Sequence, residues 1–255
     1  MEILELGMMN KTIQLRNEEK SAVKTYRIAD INVLMDTFGR TAMNSIPYIY
    51  PTEDQHEIII QSENDKVKRE NPMLSENNCE YLGSGRNYYK KIIAYNGMML
   101  HSSAIIFDGK AYLFTADKGT GKSTHTSNWR CVFGDERVRI LNDDKPALRL
   151  LDGVWYAYGT PWCGKTGQNL NLRAPIAGIA EVVRGDTTEI RRMDKNKAVH
   201  LVLKQTCIPD EIQMRIKLLE LVDKLVEIVP FWELKCTKEP SAANVAYEAM
   251  ATAME

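Results

Sequence analysis

The chain has 255 residues, with 33 Lys and Arg against 34 Asp and Glu, and its formal charge at pH 7 is −1. This even balance provides no long-range attraction to nucleic acid or to an anionic membrane surface, so we expect neither kind of partner. Hydrophobic residues make up 44% and charged residues 26%, which is ordinary for a soluble globular protein with a full core.

No membrane or export segment is evident in the sequence. Apolar runs fall short of the ~18 residues that a membrane helix needs. The first residues include Glu2 and Glu5, where a signal peptide would carry Lys or Arg. The five cysteines have no CxxC spacing, so neither a zinc site nor a disulfide framework is indicated. We therefore expect a cytoplasmic protein.

Residues 1–96 carry no motif with recognisable chemistry, and we interpret them as an accessory, mostly β region. Residues 26–35 and the β-branched run 57–61 are predicted strands. Residues 62–78 are rich in Glu, Lys, Asn and Ser, which predicts an exposed loop. Apolar residues at helical spacing predict a helix over 87–95, ended by an Asn-Gly pair.

Tight turns dominate the middle of the chain. β-rich segments flank Asp108-Gly109 and Asp152-Gly153, and a further turn at Gly185-Asp186 separates another two. Asp-Gly is a strong hairpin signal because both central turn residues need positive φ. The strand over 111–115 should therefore have an antiparallel neighbour, unlike the strands of parallel βαβ sheets. We predict an α/β fold with a mixed, largely antiparallel sheet.

The last third of the chain is predicted to be mainly helical. Residues 210–228 and 241–254 have amphipathic patterns, and 231–236 is a predicted strand between them. The first helix is expected to pack through one apolar stripe, formed by Ile212, Ile216, Leu219, Val222 and Val226. Together with the turn-rich segments, these helices define a predicted domain over 97–255.

A glycine-rich segment follows the strand over 111–115 and precedes a predicted helix. Its sequence, Gly119-Thr120-Gly121-Lys122-Ser123-Thr124, matches the end of the phosphate-loop pattern G-x-x-x-x-G-K-[ST], although Ala116 replaces the first glycine. Glycines allow backbone N–H groups to surround phosphate oxygens, and the following helix offers its positive end. Lys122 is expected to reach the β- and γ-phosphates, and Ser123 to bind Mg²⁺.

Two adjacent acids, Asp143 and Asp144, end a short apolar strand about twenty residues further on. A magnesium–nucleotide site needs a carboxylate at a strand end. A kinase that acts on a hydroxyl also uses a carboxylate to orient the nucleophile and accept its proton. Beside the glycine-rich segment, we prefer these roles to that of a solvated turn before Pro146, and which acid performs which role stays open.

Three further residues are candidates. His101 opens the strand predicted to pair with 111–115, and His125 follows the glycine-rich segment; taken alone, each is more often a structural histidine. The segment 158–169 contains three glycines, Trp162 and Lys165. It either closes over a substrate, with Lys165 neutralising phosphoryl charge, or connects two strands with Trp162 in the core.

Over about residues 97–190, the sequence resembles the HPr kinase/phosphorylase family, which forms a superfamily with phosphoenolpyruvate carboxykinase. The resemblance is carried by Leu100-His101-Ser102-Ser103, the first Asp-Gly hairpin, residues 119–125 and Asn142-Asp143-Asp144. It implies a phosphate loop on a mixed sheet, His101 near the reacting phosphate, and the acidic pair as proton acceptor and metal ligand. It also implies that the protein forms a homo-oligomer.

These residues predict an ATP- and Mg²⁺-dependent kinase that phosphorylates a hydroxyl, most simply Ser, on a peptide, protein or small metabolite. The alternative is a non-catalytic nucleotide-binding sensor or assembly protein, because Ala116 departs from the motif and the family's arginine loop is not evident, leaving Lys165 or Arg173 as substitutes. Carboxykinase chemistry on oxaloacetate is a third alternative, but no second metal-binding His and Lys set is apparent.

Overall fold

A computed structural model describes residues 22–61, 63–117 and 119–252. The chain divides into two compact units. The first contains Ile31–Asn87 and the described residues up to Arg27, and the second contains Ile28–Asp30 and the chain from Tyr88 onward. In the described part of the chain, no helix is both long and apolar enough to span a bilayer.

The first unit contains a three-stranded sheet in the order β1-β2-β3, with β2 and β3 parallel. Helices accompany these strands. The elements are β1 (Ala22–Ile28), β2 (Ile31–Thr37), α1 (Gly39–Ser45), a 3₁₀ turn (Ile46–Tyr48), β3 (Ile58–Ile60), α2 (Asn64–Glu70) and α3 (Glu76–Lys91). The strands predicted within 26–35 and 57–61 are confirmed.

Residues 63–78 are mostly exposed, as predicted, but the predicted loop is wrong; Ser62 lies outside the described residues. Helix α2 and the first turn of α3 occupy most of this segment. Helix α2 is polar except for Val67, which is fully buried, so one apolar anchor replaces the periodic stripe that would have signalled a helix. The helix predicted over 87–95 begins earlier, at Glu76, and ends in a 3₁₀ turn over Ile92–Tyr95.

The second unit is built on a mixed sheet with the strand order β4-β8-β9-β10-β6-β5-β7, to which β12 and β11 are added beside β10. Strand β10 runs parallel to β6 and to β12, and the other pairs are antiparallel. The predicted mixed, largely antiparallel sheet is therefore confirmed. The strands are β4 (Gly97–Met99), β5 (Ser102–Phe107), β6 (Lys110–Thr115), β7 (Arg139–Asn142), β8 (Ala147–Leu151), β9 (Val154–Tyr158), β10 (Arg173–Arg184), β11 (Glu189–Arg192) and β12 (Phe231–Cys236).

Helices cover both faces of this sheet. They are α4 (Lys122–Phe133), α5 (Lys195–Gln205), α6 (Ile212–Ile228) and α7 (Ala242–Thr252). Successive residues of a strand face opposite sides, so Leu113 of β6 joins a core with α5 and α6, while Phe114 joins a second core with α4 and α7. The segment after β6 consequently starts at the edge between two helical layers.

Two of the three predicted turns join neighbouring strands. Asp108 and Gly109 have φ values of 48° and 76°, and Asp152 and Gly153 have 49° and 80°, as the hairpin turns require. The third turn, at Gly185-Asp186, separates two strands as predicted, but these strands are not neighbours and therefore form no hairpin. Strand β12 lies between β10 and β11 and hydrogen-bonds to both.

The predicted packing face of α6 is confirmed only in part, because Val222 is buried and Val226 packs against the core, whereas the other three residues do not. Ile212, Ile216 and Leu219 are 67%, 54% and 48% exposed. The buried residues of the helix are Leu218, Leu221, Val222 and Leu225. The helix carries two apolar stripes, and helical periodicity detects both without indicating which of them meets the sheet.

Glu80, on α3 in the first unit, is a buried acid with 2% of its surface exposed. The Thr41 hydroxyl donates a hydrogen bond to its carboxylate. Burial raises the pKa of Glu80 from 4.5 to about 7, with Asp36 also raising it and Thr41, Ser84 and Arg40 acting in the opposite direction. The protonated carboxyl is therefore the form that the folded unit favours.

We expect Glu80→Gln to stabilise the protein more at pH 8 than at pH 5. A raised carboxyl pKa contributes stability below the unfolded value of 4.5, and this contribution is lost as pH rises through about 7. The difference in unfolding free energy between variant and wild type should thus grow by about 2–3 kcal/mol from pH 5 to pH 8. Urea denaturation measures it. Glu76→Gln, at an exposed position of the same helix, is the control, and an equal difference at both pH values would contradict the expectation.

Candidate functional site

The glycine loop, residues 116–121, joins the end of β6 to the start of α4, and its Lys118 lies outside the described residues. Gly119 and Gly121 have φ values of 79° and 125°. A Cβ at either position would meet nothing within 4 Å, so the backbone path, and not a lack of space, requires glycine there. The predicted strand–loop–helix order is therefore present.

Helix α4 begins at Lys122 with Gly121 as its N-cap residue, and no described side chain caps it. The first amides of a helix have no partner within the helix, so this end is suited to an anion. The Lys122 ammonium donates to the Ala116 carbonyl at 3.0 Å. Burial lowers the pKa of Lys122, whereas the charges of Asp144, Asp143 and Asp117 raise it. Lys122 therefore lies in the field of the predicted acidic pair.

Asp143 directly follows β7, and its side chain contacts the start of α4. The residue is 8% exposed, and its carboxylate accepts hydrogen bonds from the Ser103 hydroxyl at 2.8 Å and the Ser123 hydroxyl at 3.2 Å. Ser123 and Asp143 are predicted metal ligands, and the fold places their oxygens side by side. Ser103, on β5, has no predicted role, and only the fold reveals it as a partner of Asp143.

Asp144 has different neighbours. Its Oδ1 lies 3.1 Å from Nε2 of His101, and its Oδ2 lies 2.7 Å from the Lys145 ammonium. Burial acts to raise the pKa of Asp144, but the hydrogen bonds and charges of His101 and Lys145 outweigh it and lower the pKa to about 2. Asp144 is thus ionised at neutral pH and is a weak proton acceptor in this arrangement.

Asn142 explains how adjacent acids reach different partners. Its buried side-chain oxygen accepts from the backbone N–H of Asp144 at 2.9 Å and of Lys145 at 2.7 Å, while its amide donates to the Thr160 carbonyl at 3.0 Å. An Asn side chain that bonds the backbone two residues on replaces regular strand pairing with a turn. The chain therefore leaves strand geometry at Asp143, and the two carboxylates diverge.

The segment over 158–169 is anchored in the core. Trp162 is fully buried and stacks on Tyr88, with ring centroids 4.8 Å apart. This supports the interpretation of Trp162 as a core residue. Gly164 has φ 73°, and a Cβ there would lie 3.0 Å from Cβ of Asp144, so the chain passes close to the acidic pair. Lys165 follows in the exposed turn, and its role stays a prediction.

Arg173, the other candidate cation, does not join this group. It begins β10, whereas Glu181, in register with Thr115 at the start of the glycine loop, is near the other end of that strand. The Arg173 guanidinium instead donates to the Asp30 carboxylate at 2.6 Å and to the Tyr158 hydroxyl at 3.0 Å.

A cleft of about 930 Å³ opens beside the glycine loop and the first turns of α4. The opposite wall includes Val182 and three basic residues, Arg184, Lys235 and Lys238. The Arg184 guanidinium donates to the carbonyl oxygens of Gly119 and Thr120. These two hydrogen bonds stabilise the conformation of the glycine loop.

His125, on the first turns of α4, lies in the core beneath this cleft. Burial lowers its pKa to about 4. Its Nε2 accepts a hydrogen bond from the Trp129 indole at 3.1 Å, and its ring contacts Phe114. The ring is therefore neutral at pH 7, and its contacts indicate a structural role for His125.

In the described part of the chain, no group of three or more His, Cys, Asp and Glu side chains is arranged to hold a metal. Mg²⁺ at nucleotide sites usually keeps several waters and takes one or two carboxylates together with phosphate oxygens. The adjacent oxygens of Ser123 and Asp143 fit such a partial coordination set.

The fold and the site together define a mixed α/β protein with a glycine loop next to an acidic pair at a strand end. No protein-family model matches the chain, and no curated protein matches it either. Among solved structures it is similar to the HPr(Ser) kinase/phosphatase from Coxiella burnetii, with 10% identity and a TM-score of 0.37, over 62% of this chain and 99% of that chain.

We expect Asn142→Ala to lower the free energy of unfolding by about 2–4 kcal/mol, because it leaves two partly buried backbone N–H groups and the buried Thr160 carbonyl without their partner. Urea denaturation measures the loss. Asn244→Ala, at an exposed position of α7, is the matched control and should change stability little. Equal effects of the two substitutions would contradict the assigned role of Asn142.

Proposed function

We propose that the protein is an ATP- and Mg²⁺-dependent kinase that transfers phosphate to a hydroxyl, most simply a serine, of a peptide, protein or small metabolite. The observation that carries the proposal is the contact between the Ser123 hydroxyl and the Asp143 carboxylate, 3.2 Å apart at the start of a helix that follows a glycine loop. The two oxygens suit Mg²⁺, and the backbone amides at the start of the helix suit a polyphosphate.

The proposed nucleotide site divides into two parts. The backbone amides of residues 121–124 and the Lys122 ammonium are proposed to bind the phosphates, and Ser123 and Asp143 to bind Mg²⁺. The Thr120 amide already donates to the Asp117 carbonyl at 3.1 Å. The cleft of about 930 Å³ beside the loop is of the size that small-molecule sites have, and we assign it to the nucleoside. Its lining has three basic residues, Arg184, Lys235 and Lys238, against one acid, Asp186, and this excess of positive charge suits a negatively charged ligand.

The acceptor hydroxyl is assigned to the side of Asp144 and His101. In the proposed step, the acceptor oxygen forms a bond to the γ-phosphorus, the bond to the β–γ bridging oxygen breaks, and ADP leaves with that bonding electron pair. The proton of the acceptor hydroxyl is released to solvent water. A loose transition state makes little demand for early proton removal, so an acid with a pKa of about 2 serves mainly to orient the hydroxyl. Lys165, in the turn after Gly164, is proposed to neutralise the transferred charge.

A second candidate function is nucleotide sensing without phosphoryl transfer. It is favoured by the state of Asp144, whose carboxylate is already bonded to His101 and Lys145. A strong proton acceptor is not available in this arrangement. Tight binding of MgATP with no transfer to any hydroxyl would support this candidate over the kinase.

We expect Asp143→Asn to weaken MgATP binding by about tenfold or more, which corresponds to about 1.4 kcal/mol, because it removes a charged metal ligand. Its binding of ATP with EDTA present should change little. Calorimetry measures both affinities, and Lys224→Ala, at an exposed position of α6, is the control. If wild type shows neither heat nor thermal stabilisation with MgATP, the proposed function is wrong.

Phosphoryl transfer should depend on both acids in different ways. We expect Asp144→Asn to lower transfer of ³²P from the γ-position to serine-containing peptides by about tenfold or more while MgATP affinity stays near that of wild type. Asp143→Asn should lower both quantities. Transfer that persists at the wild-type rate in both variants would refute the roles given to this pair.

A further inference from the structure

The last residue of α5, Gln205, contacts His101 at two points. Its backbone carbonyl accepts the His101 N–H at 2.8 Å, and its side-chain Oε1 lies 3.0 Å from Nδ1 of the imidazole. Gln205 is only 7% exposed, so water does not readily replace it as a partner. The two residues are 104 positions apart in the sequence.

The second nitrogen of the same ring faces the acidic pair. Nε2 of His101 lies 3.1 Å from Oδ1 of Asp144, so the imidazole connects Gln205 with Asp144. A half-turn of the ring about its bond to Cβ would exchange nitrogen and carbon positions and direct a C–H group toward Asp144. With Gln205 Oε1 as acceptor, Nδ1 carries a hydrogen, and that hydrogen bond selects one of the two ring orientations.

The segment around Gln205 has anchors that do not involve its side chain. The Thr206 hydroxyl donates to the Met99 carbonyl at 2.7 Å. The Lys204 ammonium lies 2.6 Å from Asp117 of the glycine loop. Loss of the Gln205 side chain should therefore leave the backbone in place and release the ring alone.

We propose that Gln205 is a positioning residue, which holds the imidazole of His101 in the one orientation that directs Nε2 to Asp144. Only the effect on phosphoryl transfer rests on the proposed function, because the orientation of the ring is a property of the free protein. The chemistry assigned to Asp144 then depends on a residue that touches neither nucleotide nor acceptor.

The direct test is a ¹H–¹⁵N spectrum of the histidine side chains in the full chain at one fixed pH. Wild type should show a protected Nδ1–H resonance of His101, assigned by its absence from the His101→Gln variant. Gln205→Met has a similar volume without the acceptor and should lose the signal. Gln205→Glu keeps an acceptor and should retain it. Thr206→Val, which removes only the neighbouring anchor, should also retain it.

Loss of the signal in Gln205→Met alone supports the proposal. Persistence of the signal in Gln205→Met would overturn it. Loss in both Gln205→Met and Thr206→Val would also overturn it, because the segment as a whole, and not the side chain, would then hold the ring.

Kinetics give the second readout. We expect Gln205→Met to lower the rate of phosphoryl transfer roughly ten- to a hundredfold, with the MgATP affinity unchanged and the rate restored in Gln205→Glu. If wild type transfers no phosphate, the proposed function fails while the spectra still decide the positioning role. If wild type transfers phosphate and Gln205→Met is as fast, the positioning role has no catalytic consequence and this part of the proposal is wrong.

Discussion

The candidate site depends on the side chain of Asn142, which replaces regular strand pairing at the end of β7. Its oxygen holds two consecutive backbone N–H groups, and its amide is tied to Thr160. A continuing strand would direct Asp143 and Asp144 to opposite faces of the sheet. The turn keeps both carboxylates at the strand end, one beside Ser123 and the other beside His101.

The two acids occupy different electrostatic environments as a result. Asp143 is held by hydroxyl groups of Ser103 and Ser123, which leave its negative charge available to a cation. Asp144 is held by His101 and Lys145, whose hydrogen bonds and charges lower its pKa to about 2. We base the proposed roles on these partners, with the metal on the side of Asp143 and the acceptor on the side of Asp144.

Features set by local backbone requirements were predictable from the sequence. The turn at Asp108-Gly109 needs positive φ at two adjacent residues, and the glycine loop has its strand before it and its helix after it. Pairings between distant segments were not predictable in this way. Nothing near Gln205 signals that it meets His101, and nothing near Gly185 signals that β12 separates the flanking strands. The buried face of α6 was predicted only in part, because periodicity alone does not choose between two apolar stripes.

The insertion of β12 between β10 and β11 has a consequence for the order in which the protein matures during synthesis. Until Phe231–Cys236 has emerged from the ribosome, β10 lacks one of its two parallel neighbours and β11 lacks the strand with which it pairs. Unpaired strand edges attract other chains. Completion of the sheet, and protection from that association, therefore awaits a segment translated long after the glycine loop.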